Sequence, residues 1–365
     1  MAILGYAQLA NDGLLPNWDK DEMNRVKLAE NASFMDILEE ADAAVQEASQ
    51  AFIDDPRWAG LLAVQDTAEV EYGTGNVGGV KELTESGIPD PRRGQTAGHQ
   101  IGLKDWGDGL GWTMFGLRDR RRSQLDADIK VAVDSVTAHM QWRTLTAFFR
   151  MEAVVLGTGK TVPFADGGTA DSTFVPMTSP EGVIFQSTHD HFIRQAALND
   201  ANVNTVINHL WEHGHRGLYD IVASSLDTST WQGLTGFRKP TWTDLNYQQS
   251  IEVRAAVADN DLFIGYFEGE KGIARIWISG RVPTNYWGIY KNYGALDPRN
   301  PLRARIAPVD GFGFKIMPGQ FVNAPNHVAV FHARHEMAVG QDRTNGVCVY
   351  VAGSGDYITP TISSD

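Results

Sequence analysis

The longest stretch without glycine or proline constrains this chain most strongly. Residues 119–156 contain neither residue, although an average helix has only about 11 to 12 residues. Apolar residues recur there at helical spacing, first at Leu125, Ile129, Val133, Val136 and Met140, then at Leu145, Phe148, Phe149 and Val155. A helix over the whole run would be about 57 Å long at about 1.5 Å per residue. We therefore expect an elongated molecule, in which this helix lies with one side on a sheet and the other facing water or a neighbouring chain.

The run ends in the sequence VLGTGKT, which has a superficial likeness to a nucleotide-binding loop. That loop requires the pattern G-x-x-x-x-G-K-[ST], but Val154 stands where the first glycine is needed. The loop must also follow a strand and open a helix, whereas this segment follows a helical pattern. We interpret Gly157 and Gly159 as the end of the helix, because glycine commonly follows the last helical turn.

The composition narrows the class of protein. The chain has 365 residues, of which 42% are hydrophobic and 21% charged, and its formal net charge is −14. This balance is ordinary for a folded soluble protein of about two domains, and so acidic a surface disfavours nucleic-acid binding by bulk charge. The single cysteine, Cys348, cannot form an intramolecular disulfide and suits a buried apolar position. The first residues lack a secretory signal pattern and no apolar run is long enough to span a membrane, so we expect an intracellular protein.

A glycine-rich region precedes the long helix. Seven glycines fall between residues 73 and 98, too many for a compact core of its own. Short alternations at Val77, Val80 and Leu83, and again at Ile101, Leu103 and Trp106, favour a long two-stranded ribbon. Because an isolated ribbon is marginal in water, we expect it to be stabilised on another subunit.

The remaining segments predict a mixed fold. A helix is predicted from Ser33 to Ile53, behind an N-terminal arm, and a strand at 61–64. Further helices are predicted at 188–198 and 203–213. Strands are predicted at 219–223, 263–267, 273–278, 327–331, 346–351 and 357–358.

Candidate catalytic groups are few. His209, His213 and His215 cluster in sequence, as do His189 with His191 and His332 with His335, but no H-E-x-x-H motif is present. No G-x-S-x-G elbow occurs either. We therefore predict no catalytic, cofactor or metal site.

Arginines crowd the start of the long helix, at 118, 120, 121 and 122. Cations are unfavourable there, because the helix dipole is already positive at its N-terminus. One interpretation is a solvated face that is partly neutralised by Asp119, Asp126 and Asp128. The other, which we adopt as a hypothesis, is that the arginines meet carboxylates of an adjacent subunit.

The order of these parts resembles the major capsid protein of tailed double-stranded DNA phages, which has the HK97-like fold. The resemblance covers nearly the whole chain, and the stretches EAVVLGTGKTVP, GIARIWISGRVPTNYWG, PLRARIAPVDGFGFKI and NGVCVYVAGSGDYITPTI support it. It implies an α+β fold with an N-arm and helix at 1–60, peripheral strands at 61–118 with an extended E-loop at about 72–110, and a spine helix at 119–160. An axial domain would follow at 161–325 and returning strands at 326–365.

The resemblance also implies function and partners. We expect a structural protein that assembles into pentamers and hexamers of an icosahedral shell around double-stranded DNA, in the host cytoplasm and then in the virion. Scaffolding, portal and decoration proteins are expected partners, and a membrane is not. Some family members join subunits covalently, but Lys81 and Lys104 have no identifiable partner here, so we do not predict cross-linking. The chain opens almost directly on the arm, which implies a separate scaffold or none. We predict contacts between subunits at the following residues: Lys81, Glu82, Arg92, Arg93, Trp106, Arg118, Arg120, Arg121 and Arg122.

Two alternatives remain open. An encapsulin-type compartment has the same fold and encloses cargo enzymes. A histidine-dependent metal hydrolase would belong to a different class of protein.

Overall fold

A computed structural model describes residues 34–74, 95–113, 119–157, 159–166, 174–180, 182–185, 190–239, 263–308, 310–318 and 326–364. The chain is a mixed helix and sheet protein, as expected. Two larger sheets share the molecule with one long helix.

The N-terminal helix α1 spans Phe34–Asp54, within one residue of its predicted end. Its apolar stripe is buried, with Val45 fully inaccessible. A short helix α2 follows at Pro56–Ala59, where the Asp55 side chain accepts a hydrogen bond from the Arg57 amide and proline occupies the first turn. Strand β1 is at Leu62–Gln65, close to the prediction.

The long helix α3 spans Arg122–Phe149, so it is shorter than the predicted run. Its length is about 42 Å at about 1.5 Å per residue. It ends because Arg150 is extended and the last carbonyls have other partners: Cys348 Sγ donates to Phe148 O (3.1 Å) and Tyr357 OH to Phe149 O (2.9 Å). Val154–Leu156 and Gly159–Thr161 form a small hairpin, β5 and β6, in which the Val155 side chain is exposed. The prediction that the helix runs to Leu156 and ends at the glycines is therefore wrong.

A five-stranded sheet packs on α3. Its strands are β1, β4 (Lys104–Thr113), β13 (Leu302–Ile306), β14 (Lys315–Pro318) and β15 (Asn326–Val339). Strand β15 organises this sheet, because β4 pairs along one edge and both β13 and β14 pair along the other. The prediction at 327–331 thus found only the beginning of a much longer strand.

A seven-stranded sheet forms the second layer, with strand order β7-β16-β12-β8-β11-β10-β9. The strands, listed in chain order, are β7 Phe192–Gln195, β8 Gly217–Ser224, β9 Phe237–Arg238, β10 Phe263–Gly269, β11 Gly272–Ser279, β12 Tyr286–Lys291 and β16 Val347–Val351. Helix α4 (Asp200–Glu212) covers one face, and a short α5 (Thr228–Gln232) precedes β9. The helix predicted at 188–198 is wrong: residues 192–195 pair in parallel with 348–351.

The ribbon consists of β2 (Glu69–Thr74) and β3 (Gln95–Gln100), which pair antiparallel over their whole length. A two-stranded ribbon is thus confirmed, but its second strand ends at Gln100, earlier in the sequence than expected. Residues 104–113, which we assigned to the ribbon up to about 110, belong to the five-stranded sheet. The predicted ribbon positions Val77, Val80 and Leu83 lie outside the described residues.

The C-terminal segment differs from the prediction. The strand predicted at 357–358 is not formed, and residues 352–364 instead cross the end of α3 as an extended strap without regular structure. Tyr286 OH donates to Ile358 O (2.9 Å), and Trp142 Nε1 to Ile362 O (3.1 Å). Side-chain hydrogen bonds, and not the backbone pairing of a sheet, thus hold this strap in place.

The two sheets also divide the chain differently from the predicted boundary at residue 325. Strands β13 and β14 precede that boundary but belong to the five-stranded sheet, whereas β16 follows it and belongs to the seven-stranded sheet. One core joins α1, α3, the five-stranded sheet and one face of the seven-stranded sheet. The other face of the seven-stranded sheet forms a second core with α4.

Candidate assembly surfaces

The ribbon leaves the body from a firmly packed base. Val70 and Tyr72 are buried there with Ile101 and Phe174 in a small core. The Arg343 guanidinium, fully buried, stacks 4.3 Å from the Phe174 ring centroid, and its Nε donates to Pro163 O at 2.8 Å. These contacts hold one face of the ribbon against its own subunit.

A buried histidine adds to this anchor. His99 Nε2 lies 2.9 Å from Val339 O, the last residue of β15. Burial lowers the pKa of His99 to about 4; the hydrogen bond to Val339 opposes that shift and nearby Arg343 adds to it. The imidazole is therefore neutral at pH 7, and Nε2–H donates to the carbonyl. The opposite face of the ribbon is exposed, at Glu69, Glu71, Thr96, Gly98 and Gln100.

The arginines at the start of α3 have partners within their own chain. Arg120 pairs with Asp128, and Arg122 pairs with Glu40 of α1. A weaker contact of 3.8 Å joins Arg122 Nε to Asp126 Oδ1. The predicted partial neutralisation by acidic residues of the same helix is thus present for these two arginines.

Arg121 differs from its two neighbours. Its backbone N–H donates to Gln124 Oε1 (3.2 Å) at the helix N-terminus, and its side chain is exposed. Within the described ranges, no carboxylate pairs with this side chain. Among the described arginines at the helix start, Arg121 is thus the one that pairs with no described carboxylate.

Trp106 lies inside the subunit rather than on an open surface. Its indole Nε1 donates to His335 O (3.0 Å), and its ring contacts His139 and Arg143 of α3 at 4.6 and 4.9 Å from its centroid. Because the residue is only half-buried, its predicted contact with a neighbour stays a prediction. The other predicted contact residues, Lys81, Glu82, Arg92, Arg93 and Arg118, lie outside the described residues.

Three of the histidines, His191, His213 and His215, take part in structural hydrogen bonds. His191 Nδ1 lies 2.7 Å from Gly346 O, and its Nε2 lies 3.0 Å from His213 Nε2. His215 Nδ1 lies 2.8 Å from Tyr293 OH, and its Nε2 lies 3.1 Å from Thr344 Oγ1. In the part of the chain that the structure describes, no three or more His, Cys, Asp or Glu side chains are placed to hold a metal ion.

Apolar exposure is scattered over the described surface. The most exposed large apolar side chains are Val155, Leu226 and Val131, which belong to three different elements. Single apolar side chains of this kind are normal on a protein surface. Charge and the projecting ribbon are therefore the stronger indicators of an interaction surface. None of the helices within the described ranges is long and apolar enough to cross a membrane.

Sequence reasoning missed the residues that anchor the ribbon. Arg343 and Val339 lie more than 200 residues from the ribbon strands, and no local pattern marks either of them. The one signal was Arg343 itself. A cation close to the apolar strand at 347–351 is expected to be buried, and a buried cation needs a partner.

Comparison with known proteins gives matches in structure only. No protein-family model matches the chain, and no curated protein sequence matches it. A solved structure of Mycobacterium phage Patience is similar with a TM-score of 0.62 and 16% identity, over 92% of this chain and 93% of that chain. The capsid asymmetric unit of cyanophage A-1(L) gives a TM-score of 0.49 and 10% identity, over 83% of this chain and 94% of that chain. The mature capsid of bacteriophage PhiM1 gives 0.47 and 8%, over 80% and 85%. The chain therefore shares its fold with the Mycobacterium phage Patience structure, which confirms, as a statement about fold, the resemblance to phage major capsid proteins that the sequence indicated.

Proposed function

We propose that the chain is the major capsid protein of a tailed double-stranded DNA phage. Its subunits would assemble into pentamers and hexamers of an icosahedral shell that encloses the genome. The observation that carries the proposal is the similarity to the Mycobacterium phage Patience structure, which extends over 92% of this chain and 93% of that chain. An isolated binding domain or a small enzyme would match only part of such a chain.

The parts of the fold take roles in this proposal. The five-stranded sheet with α1 and α3 is the peripheral domain, and the seven-stranded sheet with α4 is the axial domain. The ribbon is the E-loop, and the residues before α1 are the N-arm. The anchored base supports this assignment, because a ribbon that is fixed at one end and exposed along one face can deliver its far end to a neighbouring subunit.

The charge of the chain supports a container for DNA. A net charge of −14 gives an overall repulsion between the chain and DNA phosphate. A strongly cationic inner wall would hold the genome tightly, whereas this chain would enclose it through loose contacts. Scaffolding, portal and decoration proteins are partners that the proposal expects, with assembly in the host cytoplasm and no cofactor.

Expression of the chain, followed by cryo-electron microscopy and analytical ultracentrifugation, tests the proposal. We expect closed particles several hundred Å across with pentamers and hexamers. Copies that stay monomeric in every buffer, with a co-expressed scaffold as well as without one, would contradict it.

The two alternatives give different results in the same preparation. An encapsulin-like compartment would enclose protein cargo, so particles from infected cells would lack nuclease-protected DNA. A metal hydrolase would give small particles with stoichiometric zinc in elemental analysis. His191, His213 and His215 favour neither alternative, because ring nitrogens of all three are used in hydrogen bonds.

A further inference from the structure

Two histidines, one buried and one half-buried, lie between the long helix and the long strand of the five-stranded sheet. His139 of α3 and His335 of β15 have ring centroids 5.5 Å apart. Trp106 and Phe314 surround them, at 4.6 and 5.3 Å from the His139 ring. Only 1% of the His335 surface is accessible. We call His139, His335, Trp106, Phe314 and the adjacent Arg143 the histidine cluster.

The polar atoms of this cluster are poorly satisfied. Within the described residues, both ring nitrogens of His335, Nε2 of His139 and Nε of Arg143 are buried without a hydrogen-bond partner. Most buried polar groups in proteins have a partner, and each exception carries a free-energy cost. Four such atoms in one place make this the least satisfied contact between α3 and the sheet.

The carboxylates around the cluster already have cationic partners. Glu336, which is also buried, pairs with Arg143 through Oε1, while its Oε2 has no hydrogen-bond partner among the described residues. From β4, Lys104 Nζ lies 4.8 Å from the centroid of the Trp106 ring. The nearby carboxylate of Asp105 is bound to His332 (3.1 Å) and Arg334 (3.6 Å). Lys315, next to Phe314, adds a further buried cation, which Asp310 and Asp42 face.

We propose that the histidine cluster makes the packing of α3 on β15 acid-sensitive. A proton on either imidazole places a second positive charge beside Arg143 in a poorly hydrated enclosure, where the one negative charge of Glu336 is already paired with Arg143. The helix then separates from the strand so that the imidazolium reaches water. We expect this change to be local, because the described ring contacts and the ion pair of the cluster come from α3, β4, β15 and Phe314.

The protonation equilibria give the direction and the pH range. Burial is the main cause that lowers the pKa of His335 to about 3, and His139, Arg143 and His332 add to it. Burial also lowers the pKa of His139 to about 4, and Arg143 adds to it. In the unfolded chain both titrate near 6.5. The packing is therefore at full strength above about pH 6.5 and weakens as the pH falls toward 4, because the open state binds more protons over that range.

Hydrogen exchange read by mass spectrometry tests the proposal on the full chain, free or assembled. With intrinsic exchange corrected for pH, we expect peptides of α3 and β15 to lose protection between pH 6.5 and 4.5, while α4 keeps its protection. Loss of protection in all these elements at the same pH would mean ordinary acid unfolding and would overturn the inference.

Variants add an independent measurement. His139→Phe and His335→Leu remove the titrating groups, so we expect the pH at which α3 loses protection to fall by about one unit. The control is Lys130→Gln, at an exposed position of α3, which removes no group that titrates in this pH range and should behave like the parent chain.

If a variant does not fold, exchange at the imidazole C2–H of the parent chain reports each pKa directly. A value near 6.5 for both His139 and His335 in the folded chain would refute the mechanism.

Discussion

At the scale of single residues, the tightest polar site is the Asp220 carboxylate, which is fully buried in β8. It accepts two hydrogen bonds from Arg275 (2.6 and 2.8 Å), one from Asn292 Nδ2 (2.6 Å) and one from Trp277 Nε1 (3.2 Å). Every lone-pair direction is thus used, and the carboxylate ties β8 to β11 and to the turn after β12.

Asp220→Asn should therefore destabilise the fold. The change leaves the Arg275 cation without its counter-ion. Because 21% of the Arg275 side chain is exposed, we expect the free energy of unfolding to fall by about 2 to 3 kcal/mol, which is at or below the lower end of the range for breaking a fully buried ion pair. The free energy of unfolding from urea titration measures it. Adding Arg275→Met should recover part of the loss; a double variant less stable than Asp220→Asn would contradict this account.

A second residue-scale prediction concerns close packing at Gly288 in β12. A Cβ atom added there would lie 2.2 Å from Cε1 of the Phe148 ring, which is itself buried at the end of α3. Gly288→Ala should lower the free energy of unfolding by about 1 to 3 kcal/mol through overpacking. The matched control is Gly109→Ala, where the added atom meets nothing within 4 Å. Equal melting temperatures for the two variants would show that the helix end can shift without cost.

At the scale of elements, the strap at 352–364 determines where α3 ends. Tyr357 is buried between Phe192 and Tyr286, and its hydroxyl satisfies the Phe149 carbonyl. Tyr357→Phe keeps the ring but leaves that carbonyl without its donor, so we expect a loss of about 1 to 2 kcal/mol. Calorimetric melting measures the change. Ile358→Ala, at an exposed position of the same strap, should stay within about 0.5 kcal/mol, and a larger effect there than at Tyr357 would contradict the capping role.

The elements that could be predicted from the sequence are those whose pattern is local. Helix α1 and the strands at β8, β10 and β11 were predicted closely, because their periodicity is local and their burial follows it. The end of α3 depends on Cys348 and Tyr357, which lie about 200 residues away and carry no local signal. Residues 192–195 have a helix-compatible pattern, yet they form a strand because 348–351 offer a parallel edge. Long-range pairing overrode local preference in both cases.

The candidate assembly surface was also predictable only in part. The glycine content of the chain indicated the ribbon, and the run of arginines marked the start of the long helix. What the sequence could not show is which arginines have a partner: Arg120 and Arg122 are paired within the subunit, whereas Arg121 pairs with no carboxylate in the described part of the chain. That distinction depends on the packing of α1 against α3, which brings Glu40 to Arg122.

At the scale of the whole molecule, the difference between Arg121 and Arg122 allows an effect of charge on assembly to be distinguished from an effect on folding. Arg122→Glu would place a carboxylate beside Glu40 and Asp126, so it should destabilise the subunit itself. Arg121→Glu breaks no ion pair among the described residues and adds a negative charge near the helix N-terminus, where it is favourable. We therefore expect Arg121→Glu to leave the melting temperature of the unassembled subunit unchanged or slightly raised.

Assembly should respond in the opposite way. If Arg121 meets a carboxylate of an adjacent subunit, Arg121→Glu replaces an attraction with a repulsion at every copy of that contact, and the effect is multiplied around a closed shell. Sedimentation at about 0.15 M salt should show a several-fold smaller assembled fraction, and the difference should shrink as added salt screens the charges. Lys130→Glu, an exposed reversal on the same helix, controls for the change in net charge. Equal assembly of the two variants across the salt series would show that the arginines at the helix start are a solvated face, because only a specific contact distinguishes position 121 from position 130.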